Sequence, residues 1–339
     1  MVFYKEILAS NALINDEKTT TTEPRLVAVF VGGTSGIGKF TIKALVGTGI
    51  GVKIYLVGRK SSQEPTKAFI EELRTLNAKA EIIWTEAEVS LLADVRRVCE
   101  IIKSNETRVD LLFLSAGYAP FGVRKETAEG HELVQAIEYY SRMLFILRLL
   151  PLLSKSDVPR VVSVLGGGLE MTYLIDLDDF DLKKPGNFKT WRARPQYIAM
   201  TTMTMDKLAS ENPAITFIHS SPGAVNTGNV RRGWDGNWTV GGWVFSCVVE
   251  SLTWLGGFSD DESGQRHLFE STSAAFGGRG VVPWTGKPGV TTTGSPAGGL
   301  FLVSNKCDCT PNSKTVARLR EMGQEKLWDH TQKILGPYL

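Results

Sequence analysis

From Leu26 onward, short runs of apolar and β-branched residues alternate with amphipathic stretches. "LVAVFVGG" precedes "GKFTIKALVGTG", "VKIYLVGRK" precedes "EPTKAFIEELRTLNA", and "AEIIWTEAEVS" precedes a helical pattern from Leu92 to about Asn105. "VDLLFLSAG" leads into a long helix from about Lys125 to Leu153, then "RVVSVLGGG", a helix near Thr201 to Glu211 and a sixth strand, "AITFIHSSPG". Apolar runs this short, bounded by Gly, Pro and charged residues, read as buried strands. Their alternation with helices predicts a parallel sheet covered on both faces. The expected fold class is therefore α/β, a Rossmann-like doubly wound parallel sheet in a single domain with a C-terminal extension.

The flanks bound this unit. Phe3, Ile7, Leu8, Leu13 and Ile14 fit one short amphipathic helix, and a Thr-rich linker completes residues 1–25. The main domain spans 26–275, and residues 276–339 form the extension. Its Phe276–Leu300 stretch, rich in Gly, Pro and Thr, reads as a surface loop, and Lys314 to Leu335 as a closing amphipathic helix. Trp238 to Phe258 carries a single charge, Glu250, and is long enough to suggest a membrane span. Four glycines and the lack of a basic flank close on its C-terminal side favour a buried or lid helix, so a substrate lid is expected near 228–258.

Composition narrows the function classes. A formal net charge of +2 on 339 residues gives no field to draw nucleic acid or anionic lipid. Cys99, Cys247, Cys307 and Cys309 include one C-x-C without a second ligand pair, and the four histidines are scattered, so no metal site is expected. Asp176, Asp178, Asp179 and Asp181 lack the glycine turn and terminal glutamate of a calcium loop and read as a solvated surface loop. His219, in mid-strand, reads as a hydrogen-bonded core residue. Sparse cysteine and an N-terminus without an apolar core point to a cytoplasmic protein.

"GGTSGIG" supplies Gly32, Gly36 and Gly38 between a strand and a helix. Such a turn brings backbone close to a pyrophosphate and aims a helix N-terminus at it. The second strand ends in Gly58-Arg59-Lys60 rather than an acidic residue. A cation there suits a ribose 2′-phosphate, which favours NADP(H) and leaves NAD(H) open.

With these residues in place, the chain resembles the short-chain dehydrogenase/reductase family over roughly Leu26 to Thr227. The family's TGxxxGIG appears as Val31-Gly32-Gly33-Thr34-Ser35-Gly36-Ile37-Gly38. Its acidic residue after strand three appears as Glu88, followed by Val89 and Ser90, and its NNAG as Leu114-Ser115-Ala116-Gly117. Its PGxVxT is intact as Pro222, Gly223, Val225 and Thr227. "NPAITFIHSSPG", "ESGQRHLFESTSA" and "KLWDHT" are similar to fungal members met in natural-product pathways. The resemblance implies hydride transfer between NADP(H) and a carbonyl or alcohol of an apolar small molecule, in fungal secondary metabolism. It leaves a homo-oligomer open.

The family's catalytic set is absent in part. Reduction there uses a tyrosine, a lysine four residues on, a serine ending strand five and a helix asparagine. A phenol is a poor base at neutral pH without such a cation. Here the serine position falls at Leu165 or Gly166, and Tyr197 is followed four residues later by Thr201. The asparagine region holds Tyr139 and Tyr140, with Arg142 close by. The candidate catalytic residues are Tyr197, Tyr140 and Ser163. Gly166, Gly167 and Gly168 read as a vacancy, giving room for a larger ligand or a backbone N–H donor. Trp234, Trp238, Trp243 and Trp254 suggest a bulky apolar ligand at the lid. The alternative is a redox-silent cyclase, isomerase or dehydratase on the same fold.

Overall fold

The computed structural model describes residues 2–14, 26–118, 123–225 and 257–339. Seven strands form its sheet: β1 (Leu26–Val31), β2 (Val52–Gly58), β3 (Ala80–Glu86), β4 (Leu111–Leu114), β5 (Arg160–Val164), β6 (Thr216–Ser220) and β7 (Leu300–Val303). They run parallel in the order β3-β2-β1-β4-β5-β6-β7. The order reverses between β1 and β4, and a crevice opens there at the carboxyl ends of the strands.

The helices are α1 (Tyr4–Asn11), α2 (Gly36–Val46), α3 (Gln63–Leu76), α4 (Leu92–Asn105), α5 (Leu133–Gln135), α6 (Ser141–Leu153), α7 (Thr190–Glu211), α8 (Asp260–Thr272) and α9 (Ser313–Leu335). A π-helical turn, Ala136–Tyr140, joins α5 to α6. The period-two geometry of β1 explains its uninterrupted apolar run. Val27, Val29 and Val31 enter a core shared with α4, α6, α7 and α9. Leu26, Ala28 and Phe30 enter the other core, with α1, α2, α3 and α8.

Buried polar residues tie the layers together. Arg160 donates to the carbonyls of Glu270 and Ser273 at 2.7 and 2.9 Å, so its guanidinium caps the C-terminal end of α8. Asp110 accepts from the N–H of Val27 at 2.7 Å and locks β4 to β1.

Three elements differ from the sequence expectation. The long helix starts at Leu133 and not near Lys125, because the segment before it folds back: the Leu133 N–H donates to the Lys125 carbonyl at 2.8 Å, and the Glu132 carboxylate caps the N–H of Gln135 at 2.7 Å. The next helix starts at Thr190, eleven residues before Thr201, its polar first turns hiding the pattern. β7, behind the Gly- and Pro-rich loop, is an additional strand. The C-terminal segment is thus built into the same layers, with Val316, Leu319, Leu327 and Leu335 of α9 in the core. No helix among the described residues is long and apolar enough to cross a membrane. The predicted lid up to residue 256, its four tryptophans and the Thr-rich linker lie outside the described residues.

Candidate dinucleotide groove and catalytic end

The groove of about 540 Å³ at the β1/β4 switch point is built mostly from backbone. After Val31 the chain turns at Gly32, whose φ is +100°, and a Cβ there would lie 2.4 Å from the Ala116 nitrogen. Only glycine lets the two strand ends approach this closely. Gly38 stands behind the groove wall, where a Cβ would lie 2.6 Å from the Gly32 carbonyl oxygen and 2.7 Å from Ser115 Oγ. Thr34, Ser35, Gly36 and Ile37 line the groove at the start of α2. First-turn N–H groups have no intrahelical acceptor, and the helix dipole adds positive potential, so this end suits a phosphate.

The opposite wall comes from β2 and β3. Arg59, exposed at the end of β2, lines the groove with Gly58 and Ser62. Glu88 and Val89 follow β3 into the groove. The Glu88 carboxylate accepts from Ser90 Oγ at 3.0 Å while its own N–H donates to Asp94 Oδ2 at 2.8 Å, which fixes it on the wall. Ser115, Ala116 and Gly117 at the end of β4 form the floor. Sequence reading missed Tyr118, Thr127, Ala128, Leu133 and Ile137, which close the groove from the β4–α5 side and carry no motif. Pro222, Gly223 and Val225 lie beyond this groove: a Cβ on Gly223 would meet Asn305 Nδ2 at 2.6 Å, and Val225 bridges to Phe258. Thr227 is outside the described residues.

Tyr197, Tyr140 and Ser163 share no hydrogen-bond partner, and none of them lines the groove. The Tyr197 hydroxyl is buried and donates to Glu132 Oε2 at 2.8 Å; burial, then the Glu132 charge, push its pKa well above the usual phenol value. Tyr140 donates to Asp181 and lies 2.8 Å from His330 Nε2. Burial and Asp181 likewise raise its pKa, the reverse of an activated phenol. Tyr139 is engaged by Thr204 and Thr331 at 2.7 and 2.6 Å. Ser163 Oγ accepts from Arg142 Nη1 at 2.9 Å, and the same guanidinium donates to the carbonyls of Val164 and Ala116.

The three glycines after β5 are not the expected vacancy. A Cβ on Gly166 would lie 2.5 Å from Ile198 Cδ1, and one on Gly167 would lie 1.9 Å from the His219 carbonyl oxygen. Neighbouring atoms fill the space, so it offers no room for a ligand. The N–H groups of Gly166 and Gly168 are also spent, on His219 Nε2 at 3.3 Å and Glu170 Oε1 at 2.9 Å. His219 is a buried core residue whose other nitrogen lies 2.9 Å from Thr202 Oγ1; burial drives its pKa down to about 3.

The acidic cluster is also more ordered than a solvated loop. Asp179 is buried and accepts from Asn187 Nδ2 at 2.7 Å and from the N–H groups of Lys183 and Lys184 at 2.8 Å. Only Asp178 is an exposed ion-pair partner, to Lys326. Among the described residues no group of three or more acidic, His or Cys side chains is arranged to hold a metal ion.

Comparison with known proteins agrees with this geometry. The short chain dehydrogenase family profile matches residues 26–168. The chain is 37% identical to the oxidoreductase AN1596 of Emericella nidulans, over 99% of this chain and 98% of that one. It is 34% identical to the NmrA-like family domain-containing oxidoreductase notO of an Aspergillus species, over 92% and 89% of the two chains. Among solved structures, an uncharacterized protein from Mycobacterium paratuberculosis superposes with a TM-score of 0.58 at 15% identity, covering 92% of this chain and 94% of that one; this likeness speaks for the fold. Motifs, sheet order and relatives agree: the chain belongs to the short-chain dehydrogenase/reductase family and is an oxidoreductase.

Proposed function

We propose that the protein is an NADP(H)-dependent reductase or dehydrogenase acting on a carbonyl or alcohol of an apolar small molecule, within fungal secondary metabolism. The observation that carries the reading is the pairing of the Gly32–Gly38 turn with Arg59 across one groove. The turn and the N-terminus of α2 would hold the pyrophosphate. Arg59 would pair with a ribose 2′-phosphate, and Glu88, Ser115 and Gly117 would border the adenosine and ribose. When bound, the cofactor supplies hydride.

An apolar substrate is supported by exposed apolar side chains in the stretch between β5 and α7. Leu169 and Tyr173, which follow β5, and Trp191 in the first turn of α7 are 56%, 78% and 63% exposed. Exposed apolar side chains of this size within one stretch of chain are the kind of surface an apolar ligand would cover.

The test is titration of the purified protein with NADPH, then the fall in nicotinamide absorbance with apolar ketones. Binding followed by oxidation supports the reading. Conversion of a substrate without cofactor oxidation would favour redox-silent chemistry instead.

A further inference from the structure

With both tyrosines held away from the groove, the reactive end needs another group to receive the charge that develops on a substrate oxygen. Three observations single out Glu138, the residue beside which that group would stand. Gly117, on the groove floor, backs directly onto Glu138: a Cβ there would lie 2.7 Å from Glu138 Oε1. Glu138 sits in the π-helical turn, a rare conformation that recurs at functional sites. It is 1% exposed, and its Oε2 has no hydrogen-bond partner among the described residues. A buried carboxylate oxygen without a donor is costly and calls for a cation.

Arg194 is the cation paired with this carboxylate, through its other oxygen: Nη1 lies 3.9 Å from Glu138 Oε1. The Arg194 side chain is 38% exposed and makes no hydrogen bond among the described residues, so its donors are uncommitted. Arg194 does not itself line the groove; it connects to the groove floor through Glu138, behind Gly117. Ile198, one turn further on and on the same helix face, packs against Gly166 at the end of β5. That face therefore crosses the carboxyl ends of β4 and β5, and Arg194 stands one turn nearer their rim.

Building on the oxidoreductase reading above, the geometry points to Arg194 as a catalytic residue, the donor that binds the substrate's carbonyl oxygen and stabilises the alkoxide formed from it, with Glu138 as the residue that positions it. In the reducing direction the carbonyl carbon accepts hydride from the reduced nicotinamide, forming the new C–H bond. The π-electron pair of the carbonyl moves onto its oxygen, where the Arg194 N–H groups hold it. Water then protonates the alkoxide, and the hydroxide left behind is neutralised in bulk solvent. Glu138 keeps the guanidinium at the rim, while Arg142, Glu132 and the Tyr197 hydroxyl complete the charged and titratable groups around that carboxylate. Burial raises the pKa of Glu138, and Arg194 and Arg142 oppose that rise.

The experiment uses the full chain, NADPH and 9,10-phenanthrenequinone as the carbonyl probe. Removing a single oxyanion donor costs about 100- to 1000-fold in turnover. Arg194→Ala is therefore expected to bind NADPH as the wild type does while kcat falls about 100-fold. Added guanidinium at millimolar concentration restores part of that rate, and the rescue disappears when Glu138→Gln is combined with Arg194→Ala. Arg194→Lys, which keeps the charge and most of the packing, retains an intermediate kcat. Turnover of Arg194→Ala within two-fold of wild type overturns the assignment. So does a wild-type protein that binds NADPH yet reduces neither the quinone nor small ketones and aldehydes. A wild-type protein that binds no NADPH contradicts the cofactor reading and with it the step assigned to Arg194.

Discussion

Ile198 occupies the space above Gly166: its Cδ1 lies 2.5 Å from where a Cβ on that glycine would stand. The two residues join the end of β5 to the middle of α7, and each depends on the size of the other. Gly166→Ser forces Ile198 to move and is expected to cost about 1–3 kcal/mol, as overpacking does. Ile198→Ala leaves a cavity and costs about 2–5 kcal/mol. Together they should cost less than their sum by at least about 0.5 kcal/mol, as contacting residues do. Urea unfolding of the two single variants and the double variant measures that coupling, and strict additivity would show that the contact is absent.

Gly32 is the position where the groove tolerates least change. A side chain there must adopt a left-handed backbone and overlap the Ala116 nitrogen. Gly32→Ala is expected to lose about 1–3 kcal/mol of stability from backbone strain alone and to lose NADPH binding altogether. Gly130, with a φ of +80° and nothing within 4 Å of its Cβ position, serves as the control: Gly130→Ala carries the strain without the overlap and should bind NADPH normally.

In the proposed site, Arg59 would set the choice between the two dinucleotides. A hydrogen bond to a charged group contributes about 1.5–3 kcal/mol, so Arg59→Ala should weaken NADPH binding roughly 10- to 100-fold. NADH affinity, which gains nothing from a 2′-phosphate contact, should change less than two-fold. Equal losses for both cofactors would place the arginine outside the ribose subsite.

Glu270 gives the fold a pH signature. Burial pushes its carboxyl up to about 8. The folded protein therefore holds a proton that the unfolded chain releases above the ordinary carboxylate range. Its contribution to stability is complete below about pH 4.5 and is lost as the pH rises toward 8. Glu270→Gln removes the titration, so between pH 5 and 8 the wild type should lose about 3 kcal/mol relative to the variant. Guanidinium unfolding of both proteins across that range checks it; parallel curves would mean that Glu270 is ionised in the fold.

Most of the sheet was legible in the sequence because β1 is an unbroken apolar run and β2 and β5, buried on both faces, are mostly apolar and β-branched. The first glycine turn was legible for a related reason, since a turn that must approach a phosphate has few alternatives to glycine. The second glycine run misled, because glycine also marks close packing, and nothing local says that Ile198 and the His219 backbone fill the space. The catalytic end was hidden more deeply. Tyr197 and Tyr140 have the residue type expected of a proton donor, but their hydroxyls are committed to Glu132 and Asp181 in the tertiary structure. Glu138 and Arg194 lie 56 residues apart in the chain and meet only through the packing of α7 across the sheet ends.

In the proposed NADP(H) site, the Gly32–Gly38 turn and Arg59 act on one dinucleotide. The most direct measurement is a calorimetric titration of the purified full chain with NADPH and with NADH under identical salt. One site per chain is expected, with NADPH bound at least ten-fold more tightly than NADH. Heat changes absent for both dinucleotides, or a preference for NADH, would contradict it.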